Sequence, residues 1–68
     1  MVDINGYKIN INDRVRVEED MAFAEGMLYK NSIVKIDEVD TNKSTARVVD
    51  SLGKVWWVNS SKLSIKFL

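Results

Sequence analysis

Cysteine and histidine are both absent from these 68 residues, and each absence removes chemistry. Without Cys there is no disulfide and no thiolate; without His there is no imidazole ligand and no common catalytic triad. A domain this small buries only about 60% of the surface its unfolded chain exposes, and small folds often add staples to compensate. That route is closed here. The chain must hold by apolar packing, alone or against a partner, and 46% apolar residues supply the material. Nor does any apolar run approach the roughly 20 residues of a membrane helix. The start, Met1-Val2-Asp3-Ile4-Asn5, has neither a basic segment nor an apolar core, so no signal peptide is expected. Lack of Cys fits a reducing compartment, and a cytoplasmic location is the expectation. Repeats, linkers, low-complexity tracts and Gly-rich phosphate loops are missing as well. One domain over residues 1–68 is expected, with no cofactor and no membrane contact.

Net charge is zero, which argues against a general polyanion binder. The charges are nevertheless unevenly spread. Residues 1–40 hold five Lys or Arg and nine Asp or Glu, a net of −4; residues 41–68 hold five and one, a net of +4. Pairing of the two halves across one sheet would bring opposite charges together. The alternative is a bipolar surface that orients a charged partner.

Along the chain the patterning is that of strands. Val2-Asp3-Ile4 and Tyr7 to Ile11 alternate around Asn5-Gly6, which predicts a hairpin over residues 2–11 with a two-residue turn of positive φ. Arg14-Val15-Arg16-Val17-Glu18 alternates strictly, a half-buried strand. Residues 19–31 break the pattern: either a long ordered loop, or one helical turn over 21–25 stopped by Gly26. Strands resume at Ser32–Val39, Thr45–Asp50 and Val55–Val58, with polar turns at 40–44 and 51–54. Asn59-Ser60-Ser61-Lys62 predicts a single 3₁₀ turn, and Leu63–Phe67 alternates again. The fold class is therefore all-β: five to six short antiparallel strands in a small barrel, which would remove exposed edges.

The order of a first strand from Asp13, a long loop over 18–31, three antiparallel strands, a one-turn break and a closing strand from Leu63 resembles an SH3-like barrel of bacteria or phage. The resemblance covers residues 13–68, with residues 1–12 as an added N-terminal hairpin. It implies a barrel that holds extended peptides. Gly53-Lys54-Val55-Trp56-Trp57-Val58-Asn59-Ser60-Ser61-Lys62-Leu63 is also similar to the Gly-Trp-Val-x-Ser-Ser-Tyr-Leu ending of bacterial cell-wall-binding SH3 domains. Trp56 stands there for Gly and Lys62 for Tyr, and the Leu-Asn-Val-Arg-Ser-Gly-Pro segment is missing. A second likeness is to the small barrel dihydrofolate reductases of resistance plasmids. Their Val-Gln-Ile-Tyr strand is replaced here by Val55-Trp56-Trp57-Val58, so their activity is not carried over.

Few residues could carry chemistry. Ser60-Ser61-Lys62 sets hydroxyls beside an amine, a pattern that is usually solvated in a turn. Glu18-Glu19-Asp20 and Asp37-Glu38-Val39-Asp40 cluster carboxylates without the loop spacing a calcium ion needs. A catalytic residue is not expected. The aromatics are the strongest signal. Trp56 and Trp57 are adjacent on a strand and leave opposite faces, so one is expected inside and the other outside or under partial cover. Flanking Val55 and Val58 do not distinguish them. In residues 19–31, Phe23 and Leu28 are expected to pack inward, leaving Met27 and Tyr29 exposed as adaptable contacts. The leading expectation is a protein-interaction module, phage- or mobile-element-encoded, that binds a protein or peptide through Trp56 or Trp57 with Tyr29 and Met27. Single-stranded nucleic-acid binding through Lys43, Arg47, Lys54, Lys62 and Lys66 is one alternative. Peptidoglycan binding is another.

Overall fold

A computed structural model describes residues 1–67. It is all-β, with seven short strands and one 3₁₀ turn: β1 (Arg14–Val17), β2 (Met21–Phe23), β3 (Gly26–Leu28), β4 (Ile33–Asp40), β5 (Thr45–Val49), β6 (Val55–Asn59), the 3₁₀ turn Ser60–Lys62, and β7 (Leu63–Ser64). Five strands form one antiparallel sheet in the order β6-β5-β4-β1-β7, while β2 and β3 form a separate two-stranded sheet.

Strand alternation becomes a buried face. Val15 and Val17 of β1, Val34 and Ile36 of β4, Ala46 and Val48 of β5, Trp56 and Val58 of β6 and Leu63 of β7 all lie inside, joined by Leu28 and Ile9. The register stacks them in rows: Val15 opposite Val34, Ile36 opposite Val48, and Val48 opposite Trp56. Slipping β1, β4 or β5 by one residue would put charged side chains in this core, so the pattern of these three strands enforces the register.

β4 is long enough to serve both halves of the sheet. Its register against β5 shifts between Ile36 and Glu38. The inserted residue leaves Asp37 and Glu38 both within reach of Arg47, whose Nε lies 2.9 Å from Asp37 and whose guanidinium lies 3.4 Å from Glu38. Lys62 pairs with Glu19 at 2.6 Å. These contacts join the acidic first half to the basic second half, as expected for halves that are neighbours in one sheet.

Three segments depart from the sequence reading. Residues 21–25 make no helical turn. Met21 pairs with Leu28 and Phe23 with Gly26, a tight hairpin closed by Ala24-Glu25. Gly26 has φ +139°, and Phe23 packs on Trp56 with ring centroids 5.2 Å apart. Burial of Phe23 and Leu28 outweighs the modest helix preference of Met, Ala and Glu.

The N-terminal hairpin is reduced to one bridge, Val2 to Lys8. Its turn is the three-residue form: Gly6 N–H donates to the Asp3 carbonyl, Asp3 N–H to Tyr7, and only Gly6 takes positive φ. Val2, Ile4, Tyr7 and Ile11 are exposed, so this arm adds Ile9 to the core, with Met1 half-buried against it. Lastly, β7 stops at Ser64, short of the expected Phe67. Beyond it, Ile65 N–H turns to the Asp3 carboxylate at 2.8 Å. Among the described residues, no helix is long and apolar enough to cross a membrane.

Candidate binding surfaces

Neighbouring residues of β6 place the two tryptophans in opposite environments. Trp56, 5% exposed, belongs to the core. Its Nε1–H donates to Asp50 Oδ2 at 3.1 Å, Phe23 tilts against its ring, and Lys54 Nζ sits 4.4 Å from its centroid. Lys54 Nζ also donates to the Glu25 carbonyl at 2.6 Å, so the β2–β3 hairpin is tied down over this indole. Trp56 is therefore placed under the hairpin, not on the surface, because its row continues the buried Ile36 and Val48. Trp57, 46% exposed, lies on the outer side opposite Arg47.

Asp50 organises the β5–β6 turn. Its Oδ1 accepts from Leu52 N–H (2.9 Å) and Lys54 N–H (3.0 Å), while Oδ2 accepts from the indole. The indole N–H first, then these backbone donors and the Lys54 amine, hold its carboxyl below the ordinary carboxylate value. Glu18 is likewise held low by its bond with Arg16, 2.6 Å away.

Met27 and Tyr29 are both exposed, Tyr29 by 60%, and flank the buried Leu28. They share a shallow depression of about 340 Å³ with Ser32, Ile33, Ser51 and Leu52. Leu52 is 90% exposed at the tip of the β5–β6 turn. Ile33 and Leu52 were not anticipated. Each is an apolar residue beside a turn, and only the fold brings them to Met27 and Tyr29. Trp57 does not line this depression; it borders a separate one with Asp40, Lys43 and Thr45. The four expected binding residues thus divide among the interior (Trp56), one surface (Met27, Tyr29) and another (Trp57).

The polar clusters are internally satisfied. Ser61 Oγ donates to Asn59 Oδ1 at 2.8 Å, Ser60 is buried, and Lys62 binds Glu19. Among the described residues, neither Ser60 nor Ser61 bonds to the Lys62 amine. Asp20 accepts from Lys30 N–H, and Asp40 from Asn42 and Lys43 N–H. Among the described residues no group of three or more acidic side chains converges as a metal site. Of the five basic residues considered for nucleic acid, Arg47, Lys54 and Lys62 are held in intramolecular contacts, and Lys66 Nζ lies 5.1 Å from the Tyr7 ring centroid. Comparison with protein-family models, curated proteins and solved structures finds no match to this chain.

Proposed function

We propose that this chain is a non-enzymatic protein-interaction module, an SH3-like barrel that binds an extended peptide through Met27, Tyr29, Ile33 and Leu52. Support for the barrel comes from the strand order β6-β5-β4-β1-β7, with a hairpin inserted between β1 and β4 and a 3₁₀ turn before β7. One observation carries the function: four exposed apolar side chains from separate segments converge on one depression, rimmed by Ser32, Asp50 and Ser51. Exposed apolar clusters with a polar rim are the usual form of a protein contact. The depression suits one apolar anchor of an extended peptide.

A displayed library of random peptides supplies the probe. Selected peptides are expected to share an aliphatic or aromatic anchor and to shift the amide resonances of Met27, Tyr29 and Leu52. Tyr29→Ala and Leu52→Ala should each weaken binding about tenfold or more while the fold persists, since truncating an interface anchor costs about 1–3 kcal/mol. Peptides whose shifts map elsewhere, or a library that yields no binder tighter than millimolar, would sink this assignment.

A further inference from the structure

The two outer edges of the five-stranded sheet differ. The β7 edge is covered: Ile4 N–H donates to the Leu63 carbonyl at 2.9 Å, and Ile65 N–H is taken by Asp3. The β6 edge is not: among the described residues, β6 pairs with β5 alone. Bonds from Ser60 N–H to Ser44 and from Asp50 N–H to Lys54 bracket that ladder, and residues hydrogen-bond to one neighbour at alternate positions. The β5–β6 bonds therefore fall on Trp56 and Val58. The N–H and C=O groups of Val55, Trp57 and Asn59 point away from the sheet.

Natural edges of this kind carry Lys, Pro or a bulge that discourages pairing. β6 reads Val-Trp-Trp-Val-Asn and pairs with β5 in unbroken register, so it has none of the three.

We infer that β6 pairs antiparallel with β6 of a second copy of this chain, across a two-fold axis at Trp57. In that register Trp57 lies opposite Trp57 of the other copy, and Val55 opposite Asn59. Every outward N–H and C=O of the three residues then meets a partner, which neither neighbouring register achieves. The strand is self-complementary, because Val55 and Asn59 are uncharged and stand symmetrically about Trp57. Lys54, the nearest cation along the chain, would face Ser60 and no like charge. The two indoles would meet on the outer face as a cross-strand aromatic pair. A two-fold contact consumes this edge, and the N-terminal arm already covers the other, so assembly ends at a dimer instead of a fibre. The peptide depression at Tyr29 lies on different residues and is a separate surface.

Sedimentation equilibrium from about 10 μM to about 1 mM tests the pairing, a range that brackets weak association. The wild-type chain is expected to dimerise, with amide exchange at Val55 and Trp57 slowing as concentration rises. Trp57→Lys places like charges opposite each other, and Val55→Pro deletes one outward N–H at a strand start where proline is tolerated. Each should raise the dimer dissociation constant at least tenfold with a circular dichroism spectrum like that of the parent. A wild-type chain that is monomeric at about 1 mM would overturn the inference. So would a dimer that both folded variants form as readily.

Discussion

Replacing Asp3 by Ala should cost this domain more stability than almost any other polar substitution. The side chain is 4% exposed, and its carboxylate accepts three backbone bonds: Asn5 N–H and Tyr7 N–H at 2.9 Å each, and Ile65 N–H at 2.8 Å. It closes the N-terminal turn and ties that turn to the segment after β7. A bond to a charged group contributes about 1.5–3 kcal/mol, and a buried donor left without a partner costs about 1–3 kcal/mol. Asn5 and Tyr7 are exposed, so their N–H groups can turn to water; Ile65 is half-buried and cannot do so freely. The expected loss is therefore about 2–4 kcal/mol, below the sum of three full bonds. For a domain of this size each kcal/mol moves Tm by about 4–8 °C, so Asp3→Ala should melt about 8–32 °C lower. Asp3→Asn keeps one acceptor oxygen, which can serve the turn or Ile65 but not both, and should fall between the two. Urea unfolding followed by tryptophan fluorescence is a fitting assay, because Trp56 and Trp57 sit on β6, at the far side of the sheet from β7. A loss below about 0.5 kcal/mol would refute the reasoning, since it would mean the N-terminal arm opens independently of the core.

Other changes probe the remaining assignments. Trp56→Ala should cost about 3–5 kcal/mol in urea unfolding, and Trp57→Ala under about 1 kcal/mol in monomer stability; the reverse order would mean the wrong indole is inside. Because the folded state holds Asp50 below its ordinary value, its contribution is fully present above about pH 4 and fades as pH falls through the folded value. Melting from pH 7 to 2 should accordingly show wild type ahead of Asp50→Asn at neutral pH, with the gap closing in acid; a constant gap contradicts this. Ser44 has φ +55° in the β4–β5 turn and Gly53 φ +79° with open space around it. Thermal melts should find Ser44→Gly neutral or stabilising, and Gly53→Ala destabilising by about 1 kcal/mol from backbone strain alone.

How much of this was legible depends on where the deciding contact lies. β1 and β5 could be read because apolar and polar residues alternate within each, β6 because it is a run of strong β formers, and the 3₁₀ turn because Asn59 accepts from Ser61 N–H locally at 2.9 Å. The β2–β3 hairpin could not. Met21 to Glu25 has a slight helical preference, and the contact that overrides it, Phe23 on Trp56, spans more than 30 positions. Asp3 was hidden for a similar reason: Asp before Asn-Gly signals a turn, but its bond to Ile65 joins the two ends of the chain. The tryptophan ambiguity had an answer in the sequence after all. Arg47 between Ala46 and Val48 must face outward, and a turn centred on Leu52 sets residue 47 opposite residue 57, which sends Trp57 out and Trp56 in. The surfaces themselves are properties of topology. Ile33 and Leu52 reach Tyr29 only because the start of β4 and the β5–β6 turn lie at the same end of the sheet, and β6 offers free backbone groups only because it is last in the sheet order. Residue type marked Trp57, Tyr29 and Met27 as adhesive; strand order gave Trp57 a different surface from the other two.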